Sequence, residues 1–242
     1  MNRSKKNQKL TILGFYGGSI PLVAENAFDS LGITTFDIIK NMDVPVPEYP
    51  HFYDGFDFKI HEADSFDYSS IKTGAYFGVL DTHIKYIIHN YFKNKYGVDK
   101  QSYVNLIHSS AVKAISVNDN GGLMMGPNTV VASCSELGFG VTIKRSGSVG
   151  HHAKLGDFVN INPGAVLSGF VEVGEGTVIA TGASVIHKIK IGKHSVIGAG
   201  SVVTKDIPDG VIAYGNPCRV IRENPRWQQA DDRLKTMLAS HD

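Results

Sequence analysis

The chain has 242 residues, enough for two compact units, and is almost neutral, with 24 Lys and Arg against 23 Asp and Glu. That balance supplies no basic face and argues against a nucleic-acid partner. Two cysteines, Cys134 and Cys218, are too few for a disulfide framework, the polar start lacks a secretory apolar core, and no run approaches the ~18–20 apolar residues of a membrane span, so a cytoplasmic protein is expected.

Residues 10–14 are predicted as a short buried strand. The glycine turn Phe15-Tyr16-Gly17-Gly18-Ser19 follows, then a helix over Ile20–Leu31, with Ser19 as N-cap, Pro21 in the first turn and Gly32 as the stop. Residues 34–39 are β-rich, which completes a βαβ start. A glycine turn opening onto a helix N-terminus suits an anion, although a plain strand-to-helix connection looks the same in sequence. Residues 41–50 form a proline-bearing loop. Phe56, Phe58 and Ile60 alternate with polar residues, as in a short strand. Residues 76–80 are a buried strand, and a helix follows over about 83–95 with Ile84, Ile87, Ile88, Tyr91 and Phe92 on one face. Residues 103–107 are the last extended piece of a small open α/β unit, placed at 1–106.

From about His108 the period changes to six. Every sixth residue from Leu137 to Val203 is Leu, Ile or Val, and glycine often follows it, as at Gly138, Gly150, Gly156, Gly174, Gly192 and Gly198. Neither a helix nor a strand has that period; a hexapeptide-repeat parallel β-helix does. Met125 and Val131 keep the register earlier, with residues 118–122 read as a loop interrupting the first coil. The repeat is placed at 107–221. Residues 222–242 are expected to form a helical cap, with Trp227, Leu234, Met237 and Leu238 as its contacts.

If three hexads close one coil, residues eighteen apart stack. His151, Gly169 and His187 then share a column at one corner, and His152 lies under Phe170. A candidate base beside a backbone N–H that no side chain obstructs is the layout of an acyl-transfer site. Solenoid corners carry many solvated histidines, and His194 is read as one; Met124, Met125 and Phe139 are read as packing. Two readings from other classes remain. A metal hydratase on such a helix needs three histidines around an open zinc position, and Gly192 stands where a third ligand would be expected. A non-catalytic scaffold needs no site.

The chain resembles the sugar acyltransferases of the sialic-acid O-acetyltransferase and bacillosamine-precursor N-acetyltransferase group. The resemblance runs from the Gly14–Gly18 turn through the motifs beginning at Asn105, Gly150 and Asn162 to Gly198–Pro208 and Gly215–Val220. It implies a Rossmann-like domain, a left-handed β-helix, a homotrimer, acetyl-CoA as co-substrate between neighbouring subunits, and no metal. It assigns His151 as base and Gly169 as the N–H facing the thioester oxygen. Asn160, Thr181 and Ala199 fall on acetyl-CoA positions. Gly14, Tyr16, Gly17, Gly18, Asn41 and Asp81 fall on the sugar-nucleotide site. The implied activity is acetylation of an amino group on a nucleotide-linked amino-deoxysugar for a surface glycan such as an O-antigen; O-acetylation of a sialic-acid-like sugar is the alternative within the group. Two positions depart from the pattern. No histidine follows Gly17-Gly18, and His152 replaces the group's Glu or Asp after the catalytic histidine. Either another carboxylate orients His151, with Asp157 a partner only if a turn brings it round, or the base is weaker, or the substrate amine asks less of it.

Overall fold

The structure, a computed structural model, describes residues 8–15, 18–41, 55–71 and 74–239. Four parallel strands make the N-terminal sheet: β1 (Lys9–Leu13), β2 (Thr35–Lys40), β3 (Asp57–Glu62) and β4 (Ala75–Phe77), in the order β3-β2-β1-β4. Helices α1 (Ile20–Leu31) and α2 (Thr82–Tyr96) pack with it. Apolar residues at helical spacing make α1 one-sided, and Val23, Ala24 and Ala27 join Leu10, Ile12 and Leu13 of β1 and Ile87, Ile88, Tyr91 and Phe92 of α2 in one core. Gly32 ends α1 in the left-handed conformation, its N–H returning to Phe28 O at 2.8 Å. Ser19 precedes α1, but its side chain makes no capping hydrogen bond.

From Leu106–Ile107 onward, two-residue strands recur every six residues and distribute over three parallel sheets. Each pairs with the strand eighteen residues on, as in Val149↔Leu167. The second residue of each strand points inward, and Met125, Val131, Ile143, Val149, Ile161, Leu167, Ile179 and Val203 are buried. The corners demand left-handed backbone, which recurs every sixth residue from Asn128 to Gly200. The first two-residue strand of the sixfold rhythm is Leu106–Ile107. Asn118–Asp119, expected as an interrupting loop, is a regular rung paired with Glu136–Leu137; its inward position holds Asp119, bonded to Lys113 and Asn105, so no apolar residue marks it.

The first residue of each strand points outward and gives each face its character. One face alternates in charge, with Lys154–Glu136 at 3.5 Å and Lys190–Glu172 at 3.3 Å. The second carries Leu106, Met124, Thr142 and Asn160, all buried beneath the N-terminal half. An aromatic cluster locks that junction: Phe77 meets Phe139 at 5.7 Å and Phe139 meets Phe158 at 5.6 Å. Lys85 of α2 is wholly buried there and donates to Gly140 O and to Thr142 Oγ1 at 2.5 and 2.8 Å. The third face is apolar and open: Val112, Val130 and Val166 are 58, 40 and 43% exposed, with Phe170 and Ile186 at its edge.

Helix α3 (Arg226–Ala239) does not cap the end of the solenoid. It runs along the flank against α2, with Trp227 stacked on His194 at 4.1 Å and lodged where a side chain on Gly176 would stand. His194 is thus packed rather than solvated. Among the described residues no helix is long and apolar enough to cross a membrane.

Candidate active site

Two features of the surface carry chemistry, one at an edge of the β-helix and one at its junction with the N-terminal half. The edge lies between the apolar and charged faces. There Gly150 brings one coil down onto the next: a Cβ on it would stand 2.5 Å from Ser168 C and 2.6 Å from Gly169 N. His151 follows, with its ring over Gly169. A Cβ on Gly169 would lie 2.6 Å from His151 Nε2, so only glycine leaves the imidazole in place. The Gly169 N–H donates to nothing among the described residues. His151 Nδ1 lies 3.0 Å from His152 Nδ1. The His152 ring stacks on Phe170 at 4.7 Å and 8°, and His187 stands 6.5 Å from His151 between ring centres. A nitrogen base and an unpaired backbone donor therefore share one small patch, as proton removal and oxyanion stabilisation require.

The second feature is a cavity of about 690 Å³ on the covered side of the β-helix. Phe15, Ser19 and Asn41 line it from the N-terminal half, Asp81 and His83 from the start of α2, and Arg226 and Arg233 from α3. Lys144, Asn160 and Asn162 line it from the β-helix. Positive groups outnumber the one carboxylate. Burial pushes the Lys144 ammonium pKa down. Burial also pushes Asp81 up, but the hydrogen bond from His83 at 2.5 Å and the charges of His83 and Arg226 hold it below the usual carboxylate range. Asn41 Nδ2 and Asn160 Oδ1 are buried without a partner among the described residues. Unpaired buried amide atoms beside clustered cations suit a polar, anionic ligand. A larger groove of about 1050 Å³ lies along the charged face, where ion pairs neutralise its walls.

Residues 170–205 match the family described as bacterial transferase hexapeptide (six repeats). No curated protein matches the chain in sequence. Among solved structures, the acetyltransferase domain of PglB from Neisseria gonorrhoeae, in complex with acetyl coenzyme A, is 28% identical over 89% of this chain and 100% of its own, with a TM-score of 0.72. The chain is thus similar to hexapeptide-repeat sugar acyltransferases, in sequence over residues 170–205 and in fold over most of its length. A variant of perosamine N-acetyltransferase from Caulobacter crescentus, in complex with CoA and GDP-perosamine, shares the fold at 22% identity over 89% of this chain and 97% of its own, TM-score 0.70. So does WeeI from Acinetobacter baumannii, at 23% over 87% and 100%, TM-score 0.66.

Within this acyltransferase the expected site residues fall into three places. His151 and Gly169 meet at the first edge. Thr181 and Ala199 are exposed one coil apart at the opposite edge of the apolar face. Asn160 sits on the covered face, 4% exposed, donating to Leu80 O at 2.9 Å, so one chain does not bring it to His151. Asn41 and Asp81 line the cavity. Gly14 lies beneath it, buried, with left-handed backbone, its N–H on Ile39 O at 2.9 Å; a Cβ would meet Ile88 Cδ1 at 2.4 Å. Gly18 is exposed at the start of α1, and Tyr16 and Gly17 lie outside the described residues. Asp157 is no partner for His151: it accepts from Phe139 N at 2.8 Å and from Lys100 Nζ at 2.6 Å at another corner. Among the described residues no three His, Cys, Asp or Glu side chains converge as a metal site would need. Sequence reading missed Lys144, His83, Arg226 and Arg233. The last two had a signal: Arg226 adjoins Trp227 and Arg233 adjoins Leu234, both expected anchors of α3, so docking the helix brings the arginines, still exposed, to the cavity lining.

Proposed function

We propose that this acyltransferase moves the acetyl group of acetyl-CoA to the amino group of a nucleotide-linked amino-deoxysugar, a building block of a surface glycan such as an O-antigen. The observation that carries the reading is His151 Nε2 poised over Gly169, whose N–H has no acceptor among the described residues. The amine attacks the thioester carbonyl, His151 takes its proton, and the Gly169 N–H holds the oxyanion. In other acyl-transfer sites one such donor contributes about 2.7–4 kcal/mol. The thiolate of CoA then leaves, with no covalent intermediate on the enzyme. Alignment of the two substrates supplies much of the remaining acceleration. Lys144, Arg226 and Arg233 take the diphosphate of the sugar nucleotide in the cavity. The unpaired Asn41 Nδ2 and Asn160 Oδ1 atoms support a polar occupant there.

The working unit is a homotrimer. Charge keeps one face of the β-helix in water and the N-terminal half covers the second, leaving the apolar third face for other copies. Its two edges carry His151 on one side and Thr181 with Ala199 on the other. Packing this face around a threefold axis sets the His151 edge of one protomer beside the Thr181 edge and cavity of the next, with acetyl-CoA between them. The separation of His151 from Asn160 within one chain supports such a shared centre.

The test is a thiol-release assay with acetyl-CoA and a panel of UDP-, dTDP-, GDP- and CMP-linked amino sugars, the products being read by mass spectrometry. His151→Ala is expected to lower kcat about 100- to 10,000-fold. Arg226→Gln is expected to raise KM for the sugar nucleotide alone. Near-normal turnover in the His151 variant overturns the reading.

A further inference from the structure

We propose that His152 is the positioning residue for His151, a neutral imidazole acceptor doing what a carboxylate would otherwise do. The inference rests on the reading of His151 as the base. The two Nδ1 atoms are 3.0 Å apart. At that separation two lone pairs repel and two N–H groups collide, so one proton lies between the rings. When His151 holds it, His151 Nδ1–H donates to His152 Nδ1, and Nε2, the atom over Gly169, carries a lone pair. An amine N–H aimed at Nε2 selects this arrangement. When the proton arrives at Nε2, the imidazolium keeps its Nδ1–H bond to His152, and the second ring shares the developing charge. His152 then carries its own proton on Nε2.

Among the described residues no carboxylate does this. The histidine–carboxylate pairs among the described residues are His61–Asp37, His83–Asp81 and His108–Asp29, and Asp157 is engaged elsewhere. His152 is also held for the task. Its backbone is left-handed, φ 55°, which turns the side chain back toward its predecessor. Phe170 lies flat against the ring at 8° from the next coil, and the Phe170 N–H donates to His151 O at 2.9 Å. Stacking and backbone thus fix both rings of the dyad.

The test compares His152→Asn with His152→Leu in the intact protein, reading kcat and both KM values beside melting temperature and oligomeric state. Asn tolerates the left-handed backbone, and its Oδ1 falls near the place of Nδ1. His152→Asn is expected to keep kcat within about threefold. His152→Leu, without an acceptor, is expected to lose about 10- to 100-fold in kcat with both KM values unchanged, the range seen when a metal-bound histidine loses its outer hydrogen-bond partner. Equal kcat in a folded Leu variant and wild type overturns the proposal, as does an equal loss in both variants. Side-chain ¹⁵N shifts of the wild-type protein test it without relying on either His152 variant, His151 being assigned by the signal lost in a folded His151→Gln protein. The Nδ1–H tautomer is expected for His151, and an Nε2–H tautomer overturns the dyad. An inert His151→Ala substitution would instead remove the base itself.

Discussion

A single methyl group decides whether the edge at Gly169 is a surface or a site. Its φ is not left-handed, so the backbone accepts alanine, but the new carbon would stand 2.6 Å from His151 Nε2 and push the ring away. Gly169→Ala is therefore expected to lower kcat about 100-fold, the cost of misplacing a reacting group by about an ångström, with melting temperature unchanged. Normal turnover in a folded Gly169→Ala enzyme would separate His151 from the chemistry. The column of His151 and Gly169 was legible in sequence because a sixfold period, once three hexads close a coil, stacks residues eighteen apart. The function of His152 was not. Spacing places it under Phe170, but the approach of two Nδ1 atoms depends on ring rotation, which no spacing encodes. His194 was misread for a related reason: Trp227, its stacking partner, comes from a helix that the repeat pattern does not contain.

At the scale of elements, helices α2 and α3 convert two modules into one cavity. Helix α1 and the strands announced themselves through apolar spacing and the Gly32 stop. The placement of α3 was hidden, because an amphipathic helix does not say which groove its apolar side will find. Lys85 of α2 makes the junction sensitive to pH. Burial, first, and the charge of Lys144, second, lower its pKa from 10.5 to about 7, against a smaller opposing pull from Asp81. Between those values the unfolded chain binds the proton more tightly than the folded one, so stability is expected to rise with pH from about 7 to 10.5 and to be lost as pH falls toward 7. Lys85→Met places an apolar chain of similar length there. Chemical denaturation across that range should show the positive slope in the wild type and a flatter one in Lys85→Met; equal slopes would contradict a buried, destabilised ammonium.

For the whole molecule, the proposed assembly follows from the outward residues of the three faces. Alternating Glu and Lys mark a face that stays wet, a covered face carries the N-terminal half, and exposed valines mark the one left to pair. The period was plain in the sequence, but the sorting of outward residues into three faces emerges only when the strands are assigned to their sheets. The account's chemistry divides along the same lines, with the base at one edge of the open face and the cationic cavity beyond the other. Mixed trimers probe this division most directly. His151→Ala subunits are assembled with an equal amount of subunits carrying Arg226→Glu and Arg233→Glu, each parent being inactive alone. Random assembly around a threefold axis places an intact His151 edge beside an intact cavity at about one interface in four. The mixture is expected to recover about a quarter of wild-type kcat in acetyl transfer to the sugar nucleotide; a mixture as inactive as its parents would contradict an active centre shared between protomers.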